Sequence, residues 1–97
     1  MGKTRVTIMG NEVNFRDELK LDLSKYERDF EVKIDITENS FKQLQVGLSE
    51  RYVAQITIPE RSYKEYPQKN EEGEETTVRI PEAFDINKVK IETMEVL

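Results

Sequence analysis

Apolar and polar residues alternate with a period of two along most of this chain. Thr4–Met9 sets Val6 and Ile8 between polar neighbours, the pattern of a half-buried strand, and Gly10-Asn11 follows as a turn. Glu31–Thr37 is the clearest case: Val32, Ile34 and Ile36 face one way, and Glu31, Lys33 and Asp35 the other. Tyr52–Ile58 repeats the pattern with Ala54, Ile56 and Ile58. It stops at Pro59, which has no N–H to give a ladder. Strand-like runs at Ser62–Tyr66 and Thr76–Ile80 flank a wholly polar stretch, predicting a long hairpin with a flexible acidic loop at 67–75. After Pro81 a turn over Glu82–Asn87 leads to a last strand carrying Val89 and Ile91. Met94 and Val96 fall on the other parity, which predicts a bulge or a change of burial near Thr93.

Two segments break this rhythm. Between 14 and 30, Leu19, Leu21 and Leu23 alternate as in a strand. Phe15, Leu19, Leu23, Tyr26 and Phe30 instead recur at helical spacing, with Asn14 as a cap. A helix would expose Leu21 and set Glu18 one turn from Asp22, two like charges, so the strand is preferred. At 40–48, Phe41, Leu44 and Leu48 follow Asn39-Ser40 at i, i+3, i+7, predicting a short helix that Gly47 limits. Two short echoes also occur. Ile56-Thr57-Ile58-Pro59-Glu60 matches Val78-Arg79-Ile80-Pro81-Glu82, and Leu21-Asp22-Leu23-Ser24-Lys25-Tyr26 matches Phe84-Asp85-Ile86-Asn87-Lys88-Val89. Shared turn chemistry at strand ends accounts for both without a repeat architecture.

Composition supports the β reading. Val, Ile, Leu and Phe make up 26 of the 97 residues, enough for one lean core, while alanine, the best helix former, occurs twice. The expectation is a single mainly β domain over 1–97: an antiparallel barrel or sandwich with one short helix. Three strands, a helix and further strands are also compatible with an OB-like barrel.

Candidate chemistry is sparse. Cysteine and histidine are absent, which removes the thiolate nucleophile, the commonest metal ligand and the usual neutral-pH base. No nucleophile elbow, phosphate loop or metal-hydrolase motif occurs. Twenty acidic residues make carboxylate pairs such as Asp22 and Asp35 inevitable on a solvated sheet. Asn70–Glu75 has oxygen ligands, but without the alternating spacing of a calcium loop. The expectation is therefore a non-enzymatic protein without cofactor or metal. The absence of a signal-like or membrane-length apolar run predicts a soluble, cytoplasmic one.

Net charge is −5, and three of those five charges lie in 67–75, where four Glu face one Lys. The rest of the chain is nearly neutral, which argues against a duplex-DNA binder. The function expected is binding, to a protein partner or to itself, through a sheet edge or face. Single-stranded nucleic acid is an alternative, because Arg61, Tyr63, Lys64 and Tyr66 interleave cations with stacking rings. Yet Tyr63 and Tyr66 differ in parity. Inhibition of a basic partner by the acidic loop is the other alternative. Pro59 and Pro81 both close strand patterns, so at least one of their strands is expected at a sheet rim.

Overall fold

The computed structural model describes residues 5–94. Of these, 53% are strand and 8% 3-10 helix, and every strand pairing is antiparallel. Strands β1 (Val6–Met9), β2 (Glu12–Phe15) and β3 (Leu19–Asp22) form a meander. Its first turn uses Gly10 at φ 58, as a two-residue hairpin requires. Strands β4 (Val32–Glu38), β5 (Leu44–Val46), β6 (Arg51–Ile58) and β9 (Lys90–Thr93) form a second sheet in the order β5-β4-β6-β9. Strands β7 (Tyr63–Lys69) and β8 (Glu75–Pro81) pair only with each other.

The first two sheets share one core. Val13, Phe15, Leu21 and Leu23 come from the meander side; Ile34, Ile36, Val53, Ala54, Ile56 and Ile58 come from β4 and β6. Alternation places them: Val13 lies opposite Leu21, and the row Ile34–Ile56–Ile91 crosses three strands on one face. The strand reading holds over Leu19–Asp22, whereas Leu23 opens the 3-10 turn Leu23–Tyr26. Asp22 caps that turn by accepting from Ser24 N, as Asp85 accepts from Asn87 N before the 3-10 turn Ile86–Lys88. The second sequence echo is thus one turn motif used twice. No barrel closes among the described residues, so the OB-like arrangement is not found, and no helix there is long and apolar enough to cross a membrane.

The short helix expected at 40–48 is absent. Leu44–Val46 is β5 instead, and Phe41 and Leu48 stay exposed at 81% and 72%. The Asn39 cap is real but serves a hairpin: its Oδ1 accepts from Phe41 N and Gln43 N while Lys42 takes φ 63. Helical spacing of three apolar residues was outweighed by pairing with the strongly patterned β4. The tip of the β7–β8 hairpin repeats this design. Asn70 Oδ1 accepts from Glu72 N and Glu74 N, with Gly73 at φ 83. Here too the expected bounds move, because β7 runs to Lys69 and β8 begins at Glu75. The loop expected over 67–75 therefore shrinks to a turn at 70–74.

A bulge at Val53 shifts the β4–β6 register between Ile36 and Thr37, and buries Val53 and Ala54 together. The irregularity expected near Thr93 is not found in β9, which pairs with β6 in regular register up to Thr93. Thr93 pairs with Ala54 and Met94 N donates to Val53 O; Val96 lies outside the described residues. Beyond the bulge, Glu38 continues the inward stripe of β4 and is only 7% exposed. Arg16, from the β2–β3 turn, donates to its Oε2 at 2.8 Å, and Arg51 donates to its Oε1. This clasp ties the meander to the second sheet at one end of the core. Arg16 holds φ 54 and Asp17 φ 60 in that turn, a left-handed conformation costly for residues other than glycine.

Hydrogen bonding from Arg16, reinforced by the charge of Arg51, outweighs desolvation and holds the Glu38 carboxyl below its ordinary 4.5. A depressed folded value means that the clasp contributes fully above the unfolded pKa. The contribution is lost as pH falls through the folded one. Asp22, lowered by its bonds from Ser24, adds a second contribution that is lost at lower pH, below its ordinary 3.8. Glu38→Gln should therefore lower Tm at neutral pH and flatten, without abolishing, the acid loss of stability below about pH 4.5. Thermal melts of both proteins from neutral pH to about pH 3 check this. Parallel curves would contradict it.

Candidate functional site

The β7–β8 hairpin contributes nothing to the core. Twelve of its fourteen strand residues are exposed, only Tyr63 and Val78 being half-covered. Each strand is seven residues, which at about 3.4 Å per residue gives an arm of roughly 24 Å. The radius of gyration is 18.5 Å and the extents are 65 × 23 × 17 Å. A compact chain of this length would have a radius near 13 Å. The molecule is a body with an arm.

The phase of the ladder determines what the arm presents. Glu82 N donates to Ser62 O at 2.8 Å and Asn70 N to Glu74 O at 3.0 Å, so the pairs 62–82 and 70–74 are hydrogen-bonded ones. Such pairs alternate along an antiparallel ladder. The pairs Tyr63–Pro81, Glu65–Arg79, Pro67–Thr77 and Lys69–Glu75 are then the others, with N–H and C=O directed outward. Pro67 and Pro81 occupy positions where a missing N–H costs the hairpin nothing. They act on its outer edges instead. Pro67 interrupts the β7 edge at its middle, whereas β8 keeps three consecutive outward positions, Glu75, Thr77 and Arg79, before Pro81 ends the run. Among the described residues, neither outer edge has a neighbour. The rim position expected from Pro81 is met by β8, whereas β6, which Pro59 follows, is paired on both sides.

The two faces of the arm differ. One carries Tyr63, Glu65, Pro67 and Lys69 beside Pro81, Arg79, Thr77 and Glu75, so Lys69 lies opposite Glu75 and Glu65 opposite Arg79. The other carries Lys64, Tyr66 and Gln68 beside Ile80, Val78 and Thr76. At the foot of this second face Lys64, Tyr66, Ile80, Pro81, Glu82 and Ala83 line a shallow groove of about 350 Å³.

The four residues expected to bind separate into two pairs. Arg61 and Tyr63 are engaged at the base of the arm. Arg61 reaches Asp29 Oδ1 at 3.3 Å and donates to Glu27 O at 3.1 Å, and its own N donates to Arg28 O. The Tyr63 hydroxyl donates to Asp29 Oδ1, and the Arg79 guanidinium stacks 4.4 Å above the Tyr63 ring. Lys64 and Tyr66 stand exposed on the opposite face and line the groove. Tyr63 and Tyr66 therefore do not form one stacking platform. Asp29, Arg79 and the open positions Glu75 and Thr77 were not singled out from the sequence. The shared parity of Pro67 and Pro81 was a signal for the outward phase, but it becomes legible only once the pairing is known. Comparison with family models, curated proteins and solved structures finds no match.

Because Asp29 is the common acceptor for Arg61 and Tyr63, the base of the arm depends on it. Tyr63→Phe removes one of these bonds and keeps the ring under Arg79. A hydrogen bond to a carboxylate contributes about 1.5 kcal/mol, so amide exchange within β7 and β8 should quicken about tenfold while the body melts nearly unchanged. Residue-resolved hydrogen exchange measures this. An unaltered arm would show that it is anchored elsewhere.

Proposed function

We propose that this chain is a non-enzymatic binding protein that acts through the free edge of β8, accepting a strand from a partner. The observation that carries the reading is the run of outward backbone groups at Glu75, Thr77 and Arg79, on an arm that takes no part in the core. Unpaired edge groups are a template for strand addition, in which main-chain bonds supply affinity and alternate side chains supply selectivity. A protein that did not use its edges would be expected to blunt both. Pro67 blunts β7, while β8 is left open between Glu75 and Arg79. The two-layered, sandwich-like body then serves as the mount, with Arg61, Tyr63 and Asp29 fixing the angle at which the arm leaves it. Lys64 and Tyr66, beside Ile80, offer a contact for side chains of the added strand.

Thr77→Pro tests this directly. The substitution removes an outward N–H at a position that gives no bond to the hairpin, so the arm and the body should remain folded. Partner capture from the native host should fall by about tenfold or more, the loss expected when central ladder bonds are replaced by a clash. Pro67→Thr, on the other edge, should leave capture undiminished. Equal capture by the Thr77→Pro variant and the native chain would defeat the proposal. Capture that instead falls steeply with salt and is supported by single-stranded nucleic acid would favour that alternative.

A further inference from the structure

The β8 edge is complementary to itself. Two copies of β8 laid antiparallel about a two-fold axis at Thr77 would place Thr77 opposite Thr77 of the second copy, and Glu75 opposite Arg79 in both directions. All three positions direct N–H and C=O outward, so each of these pairs would exchange both ladder bonds, about six in all. Their side chains lie on one face, where Lys69 already faces Glu75 and Glu65 already faces Arg79 within the hairpin. Joining two copies therefore produces a row across four strands that reads Lys69, Glu75, then Arg79 and Glu65 of the second copy, with charges alternating throughout. Opposite charges facing each other across strands stabilise a pairing, and like charges oppose it. On the other face Val78, which lies beside Tyr66, would meet Thr76 of the second copy, two β-branched side chains packed together.

We infer that the partner accepted by β8 is a second copy of this chain, giving a two-fold dimer with a continuous four-stranded sheet β7-β8-β8-β7. The inference rests on the edge reading above and adds the occupant and its register. It also explains the asymmetry of the prolines. With β8 edges joined, the outer edges of the new sheet are both β7. Each is interrupted by Pro67, so the assembly closes at two copies rather than extending into a fibre. Pro81 marks the end of the paired segment.

The test uses the full chain in sedimentation velocity over a dilution series. The interface is small, so a dissociation constant on the order of 10–100 µM is expected. Glu75→Arg and Arg79→Glu should each weaken self-association by about tenfold or more, since each sets like charges opposite one another. An equimolar mixture of the two variants should associate to within about threefold of the native chain, because opposite charges then meet at both ends of the register. Local loosening of either arm would not be repaired by mixing. A chain monomeric up to about 1 mM, or a mixture no stronger than its components, would overturn the dimer. If that monomeric chain still captured another protein in a Thr77-dependent way, the edge reading would stand and only the occupant would be wrong. Self-association indifferent to Thr77→Pro would overturn both.

Discussion

The antiparallel pairing of β4 with β6 is what the rest of the molecule is built on. Val32, Ile34 and Ile36 lie opposite Ile58, Ile56 and Ala54, so one ladder supplies half of the core, and every other element is placed by reference to it. The meander covers this apolar stripe with Val13, Phe15, Leu21 and Leu23, while β9 extends it through Ile91. The ten buried apolar residues of this core come from β2, β3, the turn after β3, β4 and β6, and none comes from the arm. What remains for β7 and β8 is polar, charged or half-exposed. An arm outside the core is the consequence of a lean composition distributed unevenly along the chain.

Charge finishes what apolar packing leaves open. At one end of the core, Glu38 stands where the inward stripe of β4 would otherwise end in solvent, and Arg16 and Arg51 close over it from two different elements. At the other, Arg61 and Tyr63 converge on Asp29 and hold the arm at its root. Both clusters are partly exposed, so their value lies in orienting elements against one another more than in raw stabilisation. In the proposed function the cluster at the arm would matter because it fixes the direction in which the edge strand is presented.

Much of this was legible in the sequence, and the misses have physical causes. The strands at Val6–Met9, Leu19–Asp22, Val32–Glu38, Arg51–Ile58 and Lys90–Thr93 follow from alternation, because a period of two states which face is buried. The segment 40–48 misled, since Phe41, Leu44 and Leu48 match a helical period by chance; two of the three are exposed and carry no packing information. The arm is longer than the sequence predicts because 67–75, polar throughout, reads as a loop, whereas its two ends continue the strands. The tolerance of Pro67 at a non-hydrogen-bonded ladder position depends on a phase that no single strand reveals. Glu38 was foreseeable as a charged residue on an inward parity. The two arginines that satisfy it lie 22 and 13 positions away and required the fold.

Of the residues chosen as binders, Arg61 and Tyr63 belong to the mount of the arm, and Lys64 and Tyr66 to its exposed face. The backbone edge beside them is signalled in the sequence by Pro81, but which of its positions face outward depends on the pairing. The most direct measurement is amide hydrogen exchange, resolved by residue, along β8 in the free and associated states. Glu75, Thr77 and Arg79, whose N–H groups point outward, should exchange quickly in the free protein and gain protection together on association. Thr76, Val78 and Ile80, already bonded to β7, should be protected in both states. Outward amides that stay unprotected in the associated state, with protection gained on the body instead, would contradict the role assigned to the β8 edge.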